Sequence, residues 1–163
     1  MACNLQHSKQ IYYMETTSKT SVLNDLIQIN NDRVAGFEKA IADIKDENID
    51  LKELFQSYSA QSRKNSQELS ALVGAEGGDV ETGTSMSGGL HRAWIDVKSL
   101  FGGNDRQSIL SEAERGEDAI KKAYRDALTD EDLTGNAHEV VSRQAQAINA
   151  AHDQIKALRD AAQ

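Results

Sequence analysis

The chain has 163 residues, 39% of them hydrophobic, with a single cysteine, no proline and a formal net charge of −8 at pH 7. That length supports one domain with a real core, and the lack of proline suits long, uninterrupted helices. The acidity argues against a nucleic-acid partner, which needs clustered Lys and Arg, and the lone Cys3 excludes an internal disulfide and a paired-cysteine zinc site.

No apolar run approaches the roughly 20 residues of a membrane helix, and the N-terminus lacks the apolar stretch of a signal peptide. The expected setting is therefore the cytoplasm, with no membrane partner. Residues 1–19 show no sustained periodicity and are read as a disordered N-terminal extension ahead of a domain over 20–163. Met14, followed by Glu-Thr-Thr-Ser-Lys, has the look of a second start.

The first helix is predicted from Thr20 to Lys45. Leu23, Ile27, Asn30, Val34, Phe37, Ile41 and Ile44 recur by fours and threes, the seam of a bundle helix. A short polar turn, Asp46-Glu47-Asn48, leads to a second helix over Ile49–Val73. Its seam is apolar at both ends and polar in the middle, at Ser62 and Asn65. Residues 74–89 hold six glycines and read as a crossover. A short helix with Leu90, Trp94, Val97 and Leu100 is expected over 89–101, closed by Gly102 and Gly103. Asn104, with Gln107, is the expected cap of the next segment.

The third helix, Ile109–Leu128, carries Ile109, Ala113, Ile120, Tyr124 and Ala127 on one face, with Glu117 on the same stripe. The fourth starts at Asp130 or Asn136 and runs to about Asp160, with Val141, Gln144, Ile148, His152, Ile155 and Leu158 facing inward. Two tight helix pairs joined by one long crossover define an all-α fold. It is a ferritin-like antiparallel four-helix bundle whose second-to-third helix crossover carries a short extra helix.

Each seam has polar residues at mid-height: Asn30 or Asn31, Ser62 with Asn65, Glu117, and Gln144 with His152. A di-iron bundle fills this layer with one Glu from each of two helices and Glu-x-x-His from the other two. Here only Glu117 and His152 have the right chemistry, with Glu114 as the further candidate, too few donors for two divalent ions. No cofactor is therefore expected, with iron as the alternative. Glu117 is expected in the core, held by the amides, Ser62 or His152, so that Glu117→Gln should be nearly neutral. The acidic run Glu112, Glu114 and Asp118 reads as a solvated face. His91 and Trp94 form either a packing plug at the bundle end or a partner platform. No catalytic triad and no phosphate loop stands out.

The strings LNDLIQINNDRVAGFEKA, LFQSYSAQSRKNSQEL, GGLHRAWIDVKSLFGGNDRQSIL, ERGED and AAHDQIKALRD resemble the bacterial PA2169-type four-helix-bundle family, over roughly 21–160. That resemblance implies a ferritin-like domain of unknown function, related in fold to rubrerythrin. The ligand pattern of rubrerythrin carries over at Glu117 and His152. The function expected is that of a non-catalytic bundle, an interaction or stress-associated protein, with a homodimer as an open option. The alternative is a metal-binding oxidoreductase or iron-handling protein.

Overall fold

The computed structural model describes residues 2–84 and 105–163. Among the described residues there are four long helices and no strand: α1 (Ala2–Asp43), α2 (Ile49–Ala75), α3 (Arg106–Leu128) and α4 (Gly135–Ala161). A single 3-10 turn, Asp46–Asn48, joins α1 to α2. No helix among the described residues is long and apolar enough to cross a membrane. The short helix expected over 89–101, with His91 and Trp94, lies outside the described residues, as does Asn104.

α1 packs most extensively on α2, and α3 on α4. Along α1, Lys19 meets Glu76, Asn30 meets Asn65, Arg33 meets Ser62 and Phe37 meets Phe55. Arg106, at the start of α3, pairs with Asp50 near the start of α2 through two bonds of 2.9 and 2.6 Å. Two apolar clusters fill the interior. One gathers Phe37, Ile44, Leu51, Phe55, Ile109, Leu110 and Ile155. The other gathers Leu23, Ile27, Leu69, Ile120, Val141 and Ile148. Burying each such side chain fully contributes about 1.5–3 kcal/mol, so these clusters supply the main driving force. Val34 and Ile41, expected on the seam, are only half-buried, because the inward stripe runs through Arg33 and Ala40 instead.

α1 does not begin at Thr20. It continues without interruption from Ala2, through the stretch whose missing periodicity gave no sign of a helix. Periodicity reports burial, and this stretch buries little: Ile11, Tyr12, Tyr13 and Met14 are 46, 69, 75 and 64% exposed. Removing residues 1–13 is therefore expected to leave the melting temperature of the remaining chain nearly unchanged. A thermal melt showing a drop of more than about 5 °C would mean that these residues are docked, since about 1 kcal/mol shifts a domain of this size by a few degrees.

The helix ends follow local chemistry. α3 is capped by Asp105, whose carboxylate accepts from the Ser108 backbone N–H, one residue later than the expected Asn104 cap. α4 begins one residue before Asn136, with Thr134 as its N-cap. α2 closes in a Schellman turn: Gly77 adopts φ +73° and its N–H donates to Gly74 O, while Gly78 N–H donates to Val73 O. A Cβ on Gly78 would stand 2.9 Å from Thr20 Cγ2, so only glycine lets the exiting chain lie this close to α1.

Candidate functional site

Between the two apolar clusters the interior turns polar. Its centre is an ion pair between α1 and α3, with both side chains fully buried. Arg33 Nε donates to Glu117 Oε1 at 2.6 Å, and Nη2 donates to Oε2 at 2.7 Å. This fork-on-carboxylate geometry is the strongest form of charge-assisted pairing. Arg33 Nη1 donates to Gln61 Oε1 at 2.7 Å and to Ser62 Oγ at 3.0 Å, both from α2. The guanidinium also lies 5.3 and 5.4 Å from the ring centroids of Phe37 and Tyr58. A buried cation is costly unless paired and hydrogen-bonded, and here carboxylate, amide, hydroxyl and two aromatic rings all serve it. Burial first, and the Glu117 charge second, push the Tyr58 phenol up to about 12.

A second network lies beside the first and is centred on the Tyr124 hydroxyl. Asn30 Nδ2 donates to it at 2.7 Å and to Leu26 O at 2.8 Å. Tyr124 in turn donates to Gln144 Oε1 at 2.8 Å, and Asn65 Nδ2 reaches Asn30 Oδ1 at 3.3 Å. Gln144 Nε2 donates to Glu68 Oε2 at 2.9 Å, and Arg143 binds the same oxygen at 3.0 Å. Burial raises the Glu68 carboxyl, but these two hydrogen bonds, together with the charges of Arg143 and Lys64, outweigh it and hold the group below its ordinary range. Tyr124 is almost completely buried, which raises its phenol well above the usual value.

The residues singled out in the sequence thus fall into different places. Asn30, Ser62, Asn65, Glu117 and Gln144 are buried at mid-height. Ser62 alone of the expected partners lies in the Glu117 network, and it binds Arg33, not the carboxylate. Asn31 does not join the layer. It is half-buried, its Nδ2 donates to Gly83 O at 2.9 Å, and its Oδ1 accepts from Ser66 at 3.1 Å. His152 is buried but faces away from Glu117: its Nε2 lies 2.8 Å from Asp118 Oδ1 and its Nδ1 3.0 Å from Asp153 Oδ1. The His152 hydrogen bond holds the Asp153 carboxyl below its ordinary range.

The acidic run is not one solvated face. Glu114 is 8% exposed and pairs with Arg159, Glu112 is half-buried beside Arg115, and Asp118 is exposed. Among the described residues no group of three or more His, Cys, Asp or Glu side chains is arranged to hold a metal ion. Sequence reasoning passed over Arg33 and the Tyr124 hydroxyl. The available signal was Glu117 itself: a carboxylate on a buried stripe calls for a cation, and Arg33 lies three residues from Asn30 and four from Phe37 on the facing seam.

The family model described as "Domain of unknown function (DUF2383)" matches residues 18–130, well over half of the chain. The chain belongs to that family. No curated protein matches it. The DUF2383 match takes in α2, α3 and all but the first turns of α1. It therefore includes Arg33, Ser62, Glu117 and Tyr124, whereas Gln144 and His152 lie beyond its end.

Proposed function

We propose that this DUF2383 chain is a ferritin-like, antiparallel four-helix bundle with a long crossover between α2 and α3. In this reading it is a non-catalytic bacterial protein of the cytoplasm, with an interaction or stress-associated role, and an arginine fills the place of a di-metal centre. The helix order is supported by the pairings from Lys19–Glu76 to Phe37–Phe55, in which residue numbers rise along α1 as they fall along α2. Arg106 beside Asp50 supports a crossover that returns the chain along the length of the bundle. The rubrerythrin-like relationship rests on the sequence strings given above. The four apolar residues exposed at Ile11–Met14 favour a role in contacting another surface.

The observation that carries the reading is the forked Arg33–Glu117 pair. Both oxygens of the one carboxylate at the centre of the layer are engaged by a fixed cation. The residues around it are Asn, Gln, Ser and Tyr, poor ligands for hard, carboxylate-seeking ions. The other titratable candidates are engaged elsewhere, His152 by Asp118 and Asp153 and Glu114 by Arg159. The donor set does not fit a di-iron centre. Protein purified without chelator is expected to carry well under one equivalent of iron, manganese or zinc per chain and to show no ferroxidase activity. Elemental analysis finding two tightly bound iron equivalents per chain would replace this reading with the iron-handling alternative.

A further inference from the structure

After the Schellman turn at Gly77 and Gly78 the chain lies along α1, in the same direction as the helix. Two asparagines on α1 hold it. Asn24 Nδ2 donates to Asp79 O at 2.8 Å, and Asn24 Oδ1 accepts from Glu81 N–H at 3.1 Å. One amide side chain thus satisfies an acceptor and a donor of an extended backbone, as a neighbouring strand would. Asn31, two helical turns further on, donates to Gly83 O. Ser66 on α2 binds the Asn31 carbonyl oxygen and so fixes which way this second amide points. The two asparagines stand about 10 Å apart along the helix; the Asn24 bonds straddle Val80, and the three residues from there to Gly83 span about 10 Å when extended, so the spacing matches a backbone read from Asp79 to Gly83.

Every described contact of these asparagines with the segment is to main-chain atoms. Residues 79–84 are all exposed, Val80 included at 39%. Little hydrophobic burial fastens this stretch, and Val80 supplies what there is. One contact works against it: Asp25 lies beside Glu81, and burial, then the Glu81 charge, lift the Asp25 carboxyl above its ordinary range. Between segment and helix runs an open groove of about 330 Å³, lined by Thr20, Ser21, Asn24 and Gln28 on one side and Asp79 and Glu81 on the other.

We propose that Asn24 and Asn31 form a binding site for an extended peptide backbone, occupied in the folded chain by residues 79–83 as a releasable strap. The strap is recognised by its backbone and register, not by its side chains, and it opens as a unit while the four helices stay packed. Opening uncovers the Asn24–Asn31 face of α1. A local opening of this kind costs less than global unfolding because so little apolar surface is attached to it.

Amide hydrogen exchange of the full chain, read residue by residue by NMR, tests this. In the wild type the Glu81 amide is expected to exchange at least about tenfold more slowly than its intrinsic rate, yet far faster than core amides such as those of Leu69 and Ile120. Asn24→Ala should return Glu81 to its intrinsic rate and leave the core amides and helix content unchanged. Val80→Ser and Thr82→Ala should leave Glu81 protection as it was. Three results would each overturn the proposal: an unprotected Glu81 in the wild type, protection that survives Asn24→Ala, or Asn24→Ala loosening the core in parallel. The last would make Asn24 an ordinary part of the global fold. Strong loss of protection in Val80→Ser would show side-chain recognition instead of backbone recognition and would overturn it as well.

Discussion

Glu117→Gln is expected to lower the unfolding free energy by about 3–5 kcal/mol, the cost of leaving one member of a buried ion pair uncompensated. The sequence alone suggests a nearly neutral change, because the mid-seam residues available as partners there are neutral donors and His152. With Arg33 fully buried against both carboxylate oxygens, the amide keeps the shape and at most one acceptor, and it strands a guanidinium with no counter-charge. Arg33→Met should cost a similar amount by stranding the carboxylate. The double variant Arg33→Met/Glu117→Leu should recover most of the loss, since apolar pairs of similar volume often match buried ion pairs in stability. Urea titrations of the three variants check the whole cycle. A Glu117→Gln variant within about 1 kcal/mol of the wild type would show that the pair is not what holds this layer.

The second large effect is expected at a single oxygen. Tyr124→Phe should destabilise by about 2–4 kcal/mol although it removes no carbon. The hydroxyl accepts from Asn30 and donates to Gln144, so its loss leaves a buried donor and a buried acceptor unpaired together. Each such group costs about 1–3 kcal/mol. Combining Tyr124→Phe with Gln144→Leu should cost less than the sum of the two single changes, because the second removes one of the stranded groups. Denaturation midpoints of the two singles and the double measure that coupling. A Tyr124→Phe loss below about 0.5 kcal/mol would mean that Asn30 and Gln144 find each other without the phenol.

The four helices were legible because apolar residues at threes and fours mark a buried stripe wherever one exists, as from Leu23 to Ile44 and from Val141 to Ile155. The polar layer was legible as a level, since each stripe lost its apolar residues at the same height. Its wiring was not. Residues 33 and 34 are equally good positions between Asn30 and Phe37, and the ordinary rule that arginines face water favours the apolar Val34 over the charged Arg33. The spacing of Tyr124 accounts for its ring and carries no sign of what its oxygen binds. His152 lies on the inward stripe, yet its imidazole reaches sideways to Asp118, a direction that spacing does not encode. The helical course of residues 2–19 was invisible for a related reason: a helix that buries little surface leaves little period to read.

The two apolar clusters share no residue, and each draws on all four helices. Mechanically, the molecule is two short cores in series with a bulkhead between them. Apolar packing can relax by small slides, whereas the forked bonds of Arg33 tolerate little displacement before they fail. A cavity or an ill-fitting side chain at one end is then expected to be felt most within its own compartment. Each compartment should then loosen locally with the other intact, and the wall between them is where a change touches both sides.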